Sequence, residues 1–117
     1  RGGYQVDGDA EKIVTLVRLA SEMGADIIKA DPTDNPEDFH RVVETARVPV
    51  LVRGGGREDL KVVLKKSAAL MKQGAKGMVY GRNIYQHDNP NAVVNALMAI
   101  IHQGVDGEEA WEIYNRG

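Results

Sequence analysis

Three short apolar runs, each closed by a polar or glycine-rich turn and each followed by a helical pattern, govern what this chain can fold into. Ile27-Ile28 ends in Lys29, Val48-Pro49-Val50-Leu51-Val52 runs into Arg53-Gly54-Gly55-Gly56-Arg57, and Gly77-Met78-Val79-Tyr80 runs into Gly81-Arg82-Asn83. From Lys29 to Gly54 is 25 positions and from Gly54 to Gly81 is 27. An apolar run without alternation suits a strand covered on both faces. The interval between runs leaves room for the crossover helix that parallel pairing needs.

The segments between the runs read as those helices. Asp7 or Asp9 is a natural N-cap for a helix in which Ile13, Leu16, Val17, Ala20 and Met23 make one apolar stripe, closed by Gly24. Asn35-Pro36 opens a second helix with Phe39, Val42, Val43 and Ala46 inward. A third takes Glu58 to about Gln73, burying Leu60, Val63, Leu64, Ala68 and Met71, with Lys61, Lys65 and Lys66 on its solvated side. Asn89-Pro90 starts a fourth, with Val93, Val94, Leu97, Ile100 and Ile101 inward. Asp106 with Glu109 reads as a capping box for a last helix carrying Trp111 and Tyr114.

This order is α/β with parallel strands, as in an open doubly wound sheet or a (βα)8 barrel. The barrel takes roughly 250 residues for eight units, so 117 residues with three units make only the last part of one. Bare apolar edges would then call for a longer protein or an assembly, and a homo-oligomer is the expected state. The chain opens on Arg1-Gly2-Gly3 rather than methionine, which suggests that its beginning is missing. All 117 residues are read as one partial domain.

Composition narrows the function classes. Fifteen basic and 17 acidic residues, net charge −2, are spread without a block that would hold a nucleic acid or an anionic membrane. No apolar run approaches a membrane span. The absence of cysteine rules out disulfides, thiolate metal sites and a cysteine nucleophile, and fits a reducing cytoplasm. His40, His87 and His102 have no spacing that puts two on one helical face, so no metal site is expected, and His87 reads as a solvated loop residue near the site's rim.

What chemistry remains lies at the ends of the runs. An amine at the mouth of a buried strand that has shed hydration is more readily free at neutral pH and can attack a carbonyl to form a Schiff base. On its own, Lys29 reads first as a strand-end charge that reaches water or pairs with Asp26 or Asp31. The loops at Gly54-Gly55-Gly56 and Gly81-Arg82-Asn83 can each offer backbone N–H groups to an oxyanion, with Arg53, Arg57 and Arg82 at hand. In barrels, the loops after the last two strands and a short extra helix hold phosphate, and Ile84 to Gln86 can supply that helix. Ordinary turn chemistry accounts for either loop alone. Neither common nucleotide fingerprint fits, because Asp59 replaces the next required glycine and no Gly-Lys-Ser/Thr follows.

Taken together, Arg1-Gly2-Gly3, Gly24-Ala25-Asp26-Ile27-Ile28-Lys29, Val48 to Val52 with Gly54-Gly55, and Gly81 to His87 resemble the carboxyl-terminal part of the archaeal-type class I fructose-bisphosphate aldolases. Relatives of that family include the aldolase-like synthase of the alternative aromatic pathway and the autoinducer-2 phosphate thiolase. The resemblance runs in register over nearly all of the chain. It implies a (βα)8 barrel, a sugar-phosphate substrate, no cofactor, Lys29 as the Schiff-base lysine on the sixth strand, and Gly54, Gly55, Gly81 and Arg82 around the phosphate with Arg53 beside them. It also implies that acid-base groups, a tyrosine before Arg1 among them, belong to a missing amino-terminal half. Many members carry tyrosine where this chain has Asp31, and serine or alanine where it has Arg53. Asp31 stands where it can hold Lys29 protonated. Two other readings remain: an FMN-dependent oxidoreductase barrel, which holds its cofactor phosphate with similar loops, and a non-catalytic phosphate-binding module.

Overall fold

The structure, a computed structural model, describes residues 8–54 and 58–117. Helix α1 (Ala10–Glu22) begins where the Asp9 carboxylate accepts from the N–H groups of Glu11 and Lys12. Such a cap is worth about 1 kcal/mol. Asp7, the other cap considered, lies outside the described residues. Strand β1 (Ile28–Ala30) follows, and Asn35 then caps a 3₁₀ turn (Pro36–Asp38) that leads into α2 (Phe39–Ala46). Strand β2 (Val50–Arg53), helix α3 (Leu60–Lys72), strand β3 (Gly77–Val79), the short α4 (Arg82–Tyr85), α5 (Pro90–Gln103) and α6 (Gly107–Arg116) complete the order. At the start of α6 the Asp106 carboxylate accepts from the Glu109 N–H at 2.8 Å, as the capping pattern requires.

The three strands are parallel in the order β1-β2-β3. Ile28 pairs with Val50, Lys29 with Leu51 and Ala30 with Val52; Leu51 in turn pairs with Gly77 and Arg53 with Val79. Because side chains alternate along a strand, Ile28, Ala30, Val50 and Val52 share the face that the helices cover, and all are buried. Lys29, Leu51, Arg53, Gly77 and Val79 share the other face. The helices cover the first face; on the second, Val79 is 41% exposed among the described residues.

Two apolar clusters hold the helices to the sheet. One joins α1 and α2 to β1 and β2 around Phe39, Val42, Val50 and Val52, and the other joins α3, α5 and α6 around Leu64, Val93, Ala96 and Ile100. Met71 packs against both from a half-buried position, while Leu70, which the pattern did not single out, is buried. On α1 the buried face is Ile13, Val14 and Val17. Leu16 and Met23, expected inside, are 65% and 86% exposed. With Leu19 they make a second apolar stripe, on the side of the helix that no described element covers. Val94 on α5 is likewise exposed, and the tight inner positions there are alanines at 92, 96 and 99.

Candidate active site

Lys29 is the middle residue of β1, not its last, because the strand starts one position later than the apolar run: Ile27 lies before it and is 60% exposed. Ile28 donates its N–H to the carbonyl of Pro49 at 3.0 Å, which docks β1 against the entry to β2. Lys29 is exposed between two buried neighbours, so its side chain projects from the face opposite the helices. It lines a recess of about 270 Å³ along the outer edge of β1, with Ile13, Leu16, Val17 and Ala20 of α1 on one side and Asp31 and Arg53 at the end.

Asp31 does not pair with Lys29. Its carboxylate oxygen lies 3.1 Å from Nε of Arg53, and both side chains are partly buried. The Ala30–Val52 register explains the contact, since the next positions on the two parallel strands face the same side and meet at their carboxyl ends.

Arg53 also borders a second cleft of about 330 Å³, formed with the loop after β1 (Pro32, Thr33, Asp34), Gly54, Glu58, Lys66, Tyr80 and Asn83. Gly54 is required there. It donates its N–H to the Val79 carbonyl at 2.9 Å, and a Cβ would meet Tyr80 Cδ1 at 2.9 Å. Tyr80 makes a hydrogen bond with the buried Ser67 at 2.8 Å, and its burial raises the phenol above its ordinary value, the Ser67 contact opposing and the Glu58 charge adding. Across the mouth, Lys66 pairs with Glu58 at 2.9 Å while staying exposed on the solvated side of α3, as expected.

The two glycine loops are joined by Asn83. This side chain is 4% exposed, and its amide oxygen accepts from the Glu58 N–H at 3.0 Å. Gly81 is open at the surface; its carbonyl accepts from Ile84 and Tyr85 as α4 begins, and a Cβ there would meet nothing nearer than 3.7 Å. Arg82 is exposed as the first residue of α4, two positions before the start expected. Gly81 and Arg82 therefore flank the cleft, while Tyr80 and Asn83 line it. Gly55, Gly56 and Arg57 lie outside the described residues. Sequence reasoning missed Glu58, Lys66, Tyr80 and Asn83 as cleft residues, and only the proximity of Asn83 to Gly81-Arg82 signalled one of them. Among the described residues no group of three His, Asp or Glu could hold a metal ion, and no helix is long and apolar enough to cross a membrane.

Consecutive parallel βα units with loops at the carboxyl ends of their strands fit a (βα)8 barrel, in which those ends carry the active site. The chain belongs to the DeoC/LacD aldolase family, whose pattern it matches over residues 2–87. It is 41% identical over 110 residues to an uncharacterised aldolase of Saccharolobus solfataricus, covering 90% of this chain and 40% of that one. It is 36% identical to 2-amino-3,7-dideoxy-D-threo-hept-6-ulosonate synthase of Halobacterium salinarum (94% of this chain, 42% of that one). The same identity relates it to 3-hydroxy-5-phosphonooxypentane-2,4-dione thiolase of Shigella flexneri (96% and 43%). It superposes with a TM-score of 0.77 and 32% identity on an archaeal fructose-1,6-bisphosphate aldolase whose catalytic lysine is covalently bound to the carbinolamine intermediate, covering 86% of this chain and 41% of that one. The fold is thus a portion of a TIM barrel, and the chain spans about two fifths of the length of these relatives.

Proposed function

We propose that the whole protein is a class I aldolase in which Lys29 forms a Schiff base with a phosphorylated ketose. The observation that carries this reading is the placement of Lys29 on the open face of β1, in a chain that superposes on a barrel aldolase with its own lysine bound to substrate. The amine of Lys29 adds to the ketose carbonyl and the carbinolamine loses water; as the β-hydroxyl gives up its proton, the bond between the α and β carbons breaks, releasing an aldehyde and passing its electron pair to the iminium to leave an enamine. The substrate phosphate is held between the loops after β2 and β3 by Arg53, Gly54, Gly55, Gly81 and Arg82. Gly81 supports this, since no described residue packed around it needs a glycine. Phosphate binding supplies energy that orients the carbonyl against the amine.

Fructose 1,6-bisphosphate is the substrate favoured by the structural likeness, and a synthase or thiolase reaction on a related phosphorylated ketone is the second reading, favoured by the relatives at 36% identity. Borohydride reduction of the full-length protein with dihydroxyacetone phosphate should leave a covalent adduct on Lys29. An unmodified Lys29 in a protein that still turns over a ketose phosphate overturns the assignment.

A further inference from the structure

Among the described residues, few charged groups stand around Lys29. On its own segment there are Asp26 and Asp31, β2 contributes Arg53, and α1 presents only Ile13, Leu16, Val17 and Ala20 to the shared recess. Asp31 follows Lys29 by two positions, so both project from the same strand face. A carboxylate this close would capture an ammonium and hold it protonated, and a protonated lysine is no nucleophile. The structure gives that carboxylate to Arg53 instead, at 3.1 Å. A guanidinium stays charged at every working pH and binds carboxylate with fixed geometry, so it competes well for Asp31.

We infer that the Asp31–Arg53 pair is a positioning pair for the nucleophile: Arg53 holds the Asp31 carboxylate away from Lys29 and so leaves the amine free to attack. This deepens the Schiff-base reading and rests on it. Asp31 and Arg53 act through Lys29, and neither is a reacting group in this role. Among the described residues Arg53 alone lines both the lysine recess and the cleft beside the glycine loops, so the same side chain sets the charge between the two.

The test is the pH dependence of borohydride trapping at saturating dihydroxyacetone phosphate in the full-length protein, with circular dichroism as the check on folding. Arg53→Gln removes the guanidinium that faces Asp31, leaves more of the carboxylate's field on Lys29, and should move the trapping profile to higher pH by about one unit. Asp31→Asn removes the carboxylate and leaves the cation, and should move the profile to lower pH. Arg53→Lys keeps a partner for Asp31 and should leave the profile near its wild-type position. Displacements of opposite sign, with Arg53→Gln moving the profile no further once Asp31→Asn is in place, support the inference, because two independent charge effects would add in the double variant. If both variants fold and trap with unmoved profiles, the inference is overturned while the Schiff-base reading stands. If the wild-type protein turns over ketose phosphate without trapping at Lys29, the Schiff-base reading fails and the inference with it. Should Arg53→Gln not fold, the near-isosteric Asp31→Asn decides alone: a shift to lower pH supports the pair and no shift overturns it.

Discussion

The amide oxygen of Asn83 accepts a hydrogen bond from the backbone N–H of Glu58 at 3.0 Å, tying the turn after β3 to the start of the helical unit after β2 across 25 positions of sequence. The N–H of Glu58 precedes α3, where backbone donors have no partner within the helix, and Asn83 is almost fully buried. Removing the acceptor strands a partly buried donor, which costs about 1–3 kcal/mol. Asn83→Ala should therefore lower stability by that amount in urea unfolding. Asn83→Asp keeps an acceptor in place but puts a negative charge between the two loops. A carboxylate is costly to bury at a position 4% exposed, so this variant should also lower the urea midpoint, and should in addition raise KM for a phosphorylated substrate with little change in kcat. Equal effects of the two variants on KM would argue that the loops are held by other contacts.

Arg47 closes α2 with φ of 59°, in the left-handed region that a residue with a Cβ enters at a cost of roughly 1–2 kcal/mol. Glycine is the usual residue at such a cap, at Gly24, Gly74 and Gly104 in this same chain. Arg47→Gly relieves the strain but loosens the unfolded chain, which takes back about 0.4–1 kcal/mol. A net gain of up to about 1 kcal/mol is expected, measured by urea unfolding.

Arg47 also shows where the sequence stops being informative. The three βα units, the caps at Asp9, Asn35, Asn89 and Asp106 and the parallel pairing are local or periodic features, and they are legible as patterns. A helix terminus on arginine carries no composition signal. The inner stripe of α1 was misread at Leu16 and Met23 because an apolar residue at helical spacing does not say which of two stripes meets the sheet. In the site, Lys29 and the glycine loops stand out by residue type and position. The Asp31–Arg53 pair and the Asn83 link depend on strand register and on contacts 22 and 25 positions apart, which no local pattern encodes.

Tyr80 predicts an alkaline weakness. Burial, opposed by the Ser67 hydrogen bond and reinforced by the Glu58 charge, raises its phenol in the folded state. The folded protein then holds the phenolic proton more tightly than the unfolded chain does. That stabilisation is fully present below the unfolded value, near pH 10, and is lost as pH rises through the folded one. Tyr80→Phe should cost about 0.5–1.5 kcal/mol at pH 7 through the lost Ser67 bond. The gap between variant and wild type should narrow above pH 10. Urea midpoints at pH 7 and pH 11 decide it, and a gap that widens at pH 11 would contradict the direction of the shift.

Gly54 and Gly81 separate folding from binding. A methyl on Gly54 would sit 2.9 Å from Tyr80 Cδ1 and 3.4 Å from Tyr80 Cα, and a ring held by Ser67 cannot simply swing aside. Gly54→Ala should cost about 1–3 kcal/mol, as overpacking does. Among the described residues Gly81→Ala meets only Tyr85 Cε2, at an ordinary 3.7 Å, and should leave the urea midpoint nearly unchanged. If the phosphate lies against this backbone, the added methyl stands between them, and KM for the phosphorylated substrate should rise tenfold or more by order of magnitude, equivalent to about 1.4 kcal/mol of lost binding. Inorganic phosphate, tested as a competitive inhibitor, should weaken in parallel for Gly81→Ala and for Arg82→Ala. Unchanged inhibition in both variants would move the phosphate away from the turn after β3 and leave the lysine recess without its anchoring partner.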